Sequence, residues 1–148
     1  MNFTTTSPVE DLVKSLYRLS MVQREIARHA LAELGSQGFL ALGVINLHGP
    51  VRVSDVAQRL SVDLSVASRQ VAALASAGYV EREPDPDDRR AQRVSVTEEG
   101  RRVLAESHRR MVRGFDRALE DWSPAEVAEL STRLERLRED FATKGAAA

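Results

Sequence analysis

The chain has 148 residues, 43% hydrophobic, 29% charged and 5% aromatic, a length that predicts one domain able to bury its own core. It contains no cysteine, which excludes disulfide frameworks, zinc ribbons, cysteine nucleophiles and thiol redox switches. With 21 basic against 22 acidic residues the formal net charge is -1, which excludes a general basic coat for nucleic acid but not a local basic patch.

Met1 to Glu10 carries no positive charge and no apolar stretch, so neither a secretory signal nor a transit peptide is expected, and the expected location is the cytoplasm. Ser7-Pro8-Val9-Glu10 places serine at a helix N-cap, proline at the first helical position and glutamate at the third, the pattern of a capping box. Behind it Val9, Leu12, Val13, Leu16, Leu19 and Ile26 recur at helical spacing, with Lys14, Arg18, Arg24 and Arg28 on other faces, and predict a long amphipathic helix. The longest apolar run, Phe39 to Ile45, contains Gly43 and is too short to span a bilayer, so no membrane partner is expected. Gly35, Gly38, Gly49-Pro50 and Gly78 divide the middle of the chain into short helices at about 37–48, 53–60 and 64–77. Asp63 is placed to cap the third, and Gly78 to end it in the left-handed conformation.

Tyr79 to Glu83 and Arg93 to Thr97 alternate apolar and polar residues around the proline- and aspartate-rich turn Pro84 to Arg90, which predicts a β-hairpin. Thr97 then caps a helix whose first turn holds Glu98 and Glu99 and which runs through Val103, Leu104, Met111, Val112, Phe115 and Leu119 towards Trp122. Ser123-Pro124-Ala125-Glu126 repeats the capping box, and Val127, Leu130, Leu134, Leu137 and Phe141 form a narrow apolar seam that needs a partner. The tail, Gly145 to Ala148, is expected to fray. This order predicts a mainly α fold with a small β-wing. A winged helix-turn-helix at about 37–97 would sit in a single 1–148 domain, flanked by long helices at about 7–35 and 98–144, with 64–77 the candidate recognition helix.

The residues themselves resemble the multiple antibiotic resistance regulator (MarR) family. Its wing motif, D-x-R followed by a short strand and L-T-x-x-G, stands here as Asp88-Arg89-Arg90, then Arg93 to Val96, then Thr97-Glu98-Glu99-Gly100. Ser54 to Leu60 is similar to the first helix of the family's helix-turn-helix and Leu64 to Gly78 to its second, so the resemblance covers almost the whole chain. Two positions depart from it: Val96 replaces the common leucine, and Arg52 stands where a threonine or serine cap is frequent. The resemblance implies a cytoplasmic homodimer whose terminal helices intertwine as dimerisation helices, and a transcriptional repressor of a pseudo-palindromic operator in double-stranded DNA. It further implies release by a small aromatic or phenolic effector. Tyr17, Met21, Phe39, Met111 and Phe115 are candidates to line an effector cleft, although most of them have the spacing of core residues.

Between Leu64 and Val80 the only charge is Arg69, with Ser65, Ser68 and Gln70 beside it. Arginine donates two bonds to guanine and glutamine pairs with adenine, so Arg69 and Gln70 are the base-reading candidates, with Ser65 and Ser68 at phosphates or bases. On the opposite face Ala67, Val71 and Leu74 follow core spacing. Arg89, Arg90 and Arg93 are the wing candidates for a minor groove. The resemblance assigns insertion to Arg90 and a bracing bond from Asp88 to an arginine. From Arg52 to Arg93 seven arginines face seven acids, so Asp85, Asp87 and Asp88 must turn inward or pair if this face is to meet phosphate.

His29, His48 and His108 are scattered, and although Glu25 and His29 lie four apart and could share a helix face, there is no cysteine or paired histidine motif, so neither a metal nor another cofactor is expected. No phosphate loop and no organised nucleophile and base are visible, so no catalytic residue is assigned and an enzyme is not expected. A winged-helix dimer serving only protein interaction is the alternative, in which loss of Arg69 or Arg90 would leave DNA affinity unchanged.

Overall fold

The computed structural model describes residues 7–144, so the first six residues and the tail Gly145 to Ala148 lie outside it. In chain order the elements are α1 (Pro8–Ala30), α2 (Gly35–His48), β1 (Val51–Arg52), α3 (Val53–Leu60), α4 (Leu64–Ser76), β2 (Val80–Pro84), β3 (Gln92–Val96), α5 (Glu98–Ala118) and α6 (Pro124–Lys144). The chain divides after Val112, inside α5, into two compact units. The fold is the expected one, helical with a small antiparallel sheet.

Local chemistry accounts for the ends of most elements. Ser7 Oγ accepts the Val9 N–H at 3.3 Å while Glu10 Oε2 accepts the Ser7 N–H at 3.0 Å, which closes the predicted capping box on α1. The same exchange opens α6: Glu126 Oε2 accepts the Ser123 N–H at 2.8 Å and Ser123 Oγ accepts the Glu126 N–H at 3.3 Å. Gly78, at φ +78°, lets the chain reverse after α4, and the Tyr79 N–H reaches back to the Leu74 carbonyl at 2.9 Å. The helix predicted to run towards Trp122 stops at Ala118 in a turn closed by the Trp122 N–H on the Leu119 carbonyl.

Asp63 corrects the expectation placed on it. It stands at the N-cap, with φ -63° and ψ 148° and its carbonyl accepting the Val66 and Ala67 N–H groups, but its exposed carboxylate accepts no bond from the first turn of α4.

The sheet has the order β1-β3-β2 and is antiparallel throughout. Sequence periodicity does not predict β1, whose two residues pair Val51 with Val94 and Arg52 with Arg93. Hairpin register sets Val80 against Val96 and Glu83 against Arg93. The core lies between this sheet and α2, α3 and α4, where Leu42, Ile45, Val56, Val71 and Val94 are fully enclosed. Burial of each such side chain contributes about 1.5–3 kcal/mol. Ala67, Val71 and Leu74 bury as predicted, which fixes the opposite face of α4 outward.

The start of α5 is tied to this lobe. Thr97 Oγ1 donates to the Gly78 carbonyl at 2.6 Å and accepts the Gly100 N–H at 3.0 Å, and the Thr97 N–H bonds the Tyr79 carbonyl. Gly100 allows this approach, because a Cβ there would lie 2.1 Å from the Tyr79 carbonyl oxygen. The Thr-x-x-Gly spacing is therefore a contact requirement: threonine caps the helix and glycine clears the passing backbone.

Candidate nucleic-acid interface

Helix α4 presents Ser65, Ser68 and Arg69 on its exposed side. Arg69 has no ion pair among the described residues, whereas Arg102, Arg109, Arg133 and Arg138 are each bonded to a glutamate of their own helix. Gln70 is half-buried, and its Nε2 donates to Gln37 Oε1 of α2 at 2.8 Å. Of the four residues named on this helix, it alone is already engaged by a neighbouring side chain.

The wing is shaped by its own aspartates. The Asp85 N–H donates to the Ala91 carbonyl at 3.0 Å and the Ala91 N–H to the Asp88 carbonyl at 2.9 Å, closing the loop on itself. Asp85 Oδ1 accepts the Asp87 N–H at 2.8 Å and Asp88 Oδ1 the Arg90 N–H at 3.0 Å, two turns in which a carboxylate stands in for a carbonyl. Arg89 and Arg90 are exposed at the tip with no ion pair among the described residues.

Asp88 differs from its expected role. Its carboxylate holds a backbone N–H, and the acid that braces the wing through arginines is Asp85. The Asp85 side chain is fully buried, with Oδ2 2.6 Å from Arg52 Nε and 3.3 Å from Arg93 Nε. Arg93 Nη2 also lies 3.3 Å from Asp87 Oδ2. The bond from Arg52, the N–H of Asp87 and the bond from Arg93 outweigh burial and hold the Asp85 carboxyl well below the usual carboxylate range. Asp85 in turn raises the pKa of Arg52. Asp85 and Arg52 are the residues sequence reasoning missed as a pair. The available signals were the need for the aspartates to turn inward and an arginine at a position where a cap is frequent.

The start of α4 and the wing border one groove, which Arg89 and Arg90 line and Ser65, Ser68, Arg69, Gln70 and Arg93 do not. This groove of about 520 Å³ runs between the start of α3, the start of α4 and the wing, bordered by Arg52, Ser54, Leu64, Arg89, Arg90 and Gln92. Of the five candidates for an effector cleft, Tyr17, Met21, Phe39 and Met111 belong to the first compact unit and Phe115 to the second. Tyr17 lies with Val13, Leu16 and Ser20 along an open groove on α1 and is 72% exposed, while Met21 is 70% exposed and Phe39, Met111 and Phe115 are half-buried. Among the described residues there is no group of three or more histidine, aspartate or glutamate side chains arranged to hold a metal ion. No described helix is long and apolar enough to cross a membrane.

Comparison with known proteins gives one answer. Residues 34–91 match the model of the MarR family. The chain is 29% identical over 108 residues to the uncharacterised HTH-type transcriptional regulator YxaD of Bacillus subtilis, covering 73% of this chain and 76% of that one. It is also 29% identical over 100 residues to the multiple antibiotic resistance protein MarR of Salmonella typhimurium, covering 67% and 69%. Its fold superposes on a cysteine-to-serine variant of MarR from E. coli crystallised with operator DNA, with a TM-score of 0.73 at 22% identity over 90% of this chain and 97% of that one.

Proposed function

We propose, from the match of residues 34–91 to the MarR family model, that the protein is a sequence-specific regulator of transcription that binds double-stranded DNA. We read it as a repressor acting as a homodimer on a pseudo-palindromic operator. The observation that carries this is one lobe presenting Arg69 on the open face of α4 and Arg89 and Arg90 at the wing tip, all three exposed and without an ion pair among the described residues, while Arg52 and Arg93 beside them are paired with Asp85.

In this mechanism α4 enters the major groove and Arg69 donates to guanine O6 and N7. Ser65 and Ser68, short and exposed, bond phosphates or bases nearby. Gln70 reads adenine only by exchanging its bond to Gln37, so its contribution is the smaller. Arg90, with Arg89 beside it, enters the adjacent minor groove, where a cation is favoured by the negative potential of narrow A·T tracts. Arg93 stands behind them, already held by Asp85 and Asp87, and Asp88 supports the wing by shaping its tip.

Apolar faces that the single chain leaves open support dimerisation. Leu130, Leu134 and Phe141 on α6 are 39%, 43% and 64% exposed, and Val9, Leu12 and Val13 on α1 are 66%, 45% and 44% exposed. A second copy covering them would set two lobes at a spacing of about one helical turn, roughly 10 bp, and so select an inverted repeat. A small aromatic or phenolic ligand that prefers a different spacing would release the operator by its differential affinity for the two states.

Selection of bound fragments from genomic DNA by the purified protein, in parallel with Arg90→Ala, tests the proposal. One inverted repeat near a promoter should be enriched by the wild type and lost in the variant. Equal, sequence-independent recovery with both proteins would overturn the proposal and favour an interaction module.

A further inference from the structure

The inference rests on the DNA-binding proposal and concerns how its specificity is set. The register of β1 and β3 places Arg52 directly opposite Arg93, two like charges whose repulsion disfavours the pairing. The wing returns Asp85 to that point. Its buried carboxylate accepts from Arg52 Nε at 2.6 Å and lies 3.3 Å from Arg93 Nε through the same oxygen, while its other oxygen is occupied by the Asp87 N–H. Asp87 adds a second acid to Arg93. Two of the five arginines at or beside the groove and recognition helix (Arg52, Arg69, Arg89, Arg90 and Arg93) are thus neutralised at the wing root, and three remain free.

We propose that Asp85 is a specificity-determining positioning residue. By holding Arg52 and Arg93 against the sheet it fixes the wing relative to α4 and, of these five, leaves Arg69, Arg89 and Arg90 as the cations offered to DNA. Arg52 borders the same groove as Arg89 and Arg90, so without Asp85 its guanidinium lies where any phosphate could take it, whatever the sequence. Selectivity would then be lost through gained contacts as well as through a loosened wing.

The test measures binding of the full chain to two duplexes, the repeat enriched in the genomic selection and a scrambled duplex of the same composition, over a range of salt concentrations. Asp85→Asn keeps the shape and the bond from Asp87 but removes the charge. It should bind the scrambled duplex more tightly, with a salt dependence steeper by about one to two units, one for each further phosphate neutralised. The ratio of specific to non-specific affinity should fall about tenfold, the size of losing one good base contact. Adding Arg52→Gln to Asp85→Asn should return the salt slope towards wild type while the ratio stays low. An unchanged ratio and slope in Asp85→Asn, or equal weakening on both duplexes with the slope unchanged, would overturn the inference. If Asp85→Asn does not fold by circular dichroism, Arg52→Gln alone decides, because Arg93 still pairs Asp85: a reduced ratio supports the inference and an unchanged one overturns it. A wild-type protein that prefers neither duplex would instead overturn the DNA-binding proposal itself.

Discussion

At Gly100 the missing side chain matters more than any present one nearby. A methyl group there would meet the Tyr79 carbonyl oxygen at 2.1 Å, its carbon at 2.9 Å and Val96 Cγ1 at 2.9 Å, and two of these are backbone atoms of the chain entering β2. Gly100→Ala should therefore destabilise by about 3 kcal/mol, the upper part of the overpacking range, seen as a lower urea midpoint with an unchanged slope. Asp85 makes the opposite point, a polar group whose burial is compensated by three donors. Its pKa is depressed in the folded chain, so the stability it contributes is complete above the unfolded carboxylate pKa of about 3.9 and is lost as pH falls towards the native value. The stability gap between wild type and Asp85→Asn should stay constant from about pH 5 to 8 and narrow below about pH 4 in denaturant titrations. A gap that closes near neutrality would show that another group titrates in the clamp.

Among the elements, α4 and α6 differ in how their N-termini are satisfied. Ser123 exchanges bonds with Glu126 at the start of α6, and those bonds lower the pKa of Glu126. Ser123→Ala should cost about 1 kcal/mol, measurable by denaturation. Asp63 makes no such bond, so Asp63→Ala should change stability by less than about 0.5 kcal/mol, as for an ordinary surface substitution. It should also raise affinity for DNA by removing an acid beside the proposed reading face. The capping boxes, the amphipathic runs and the alternation of the hairpin were legible because each is a local pattern of several residues. Strand β1 was not, since two residues have no period and Val51 and Arg52 become a strand only because Val94 and Arg93 lie alongside them.

At the scale of the molecule the open apolar faces dominate. No described residue of α6 is buried, although its sequence carries a continuous seam, and α1 leaves Val9, Leu12 and Val13 exposed. A dimer built on these faces predicts that Leu134→Glu will sediment as a monomer and bind the inverted repeat no better than a single half-site. A stable dimer in that variant would place the interface elsewhere.

The winged helix-turn-helix, the outward face of α4 and the cationic wing tip were determined by the sequence alone, because helix caps, apolar periods and turn residues act within a few positions of one another. Local pattern could not distinguish Asp85, Asp87 and Asp88, three acids in four positions with the same intrinsic chemistry. The tertiary structure decided among them. Pairing of β1 with β3 brought Arg52 and Arg93 together, the wing loop carried Asp85 between them, and a buried carboxylate is tolerated only where such donors converge.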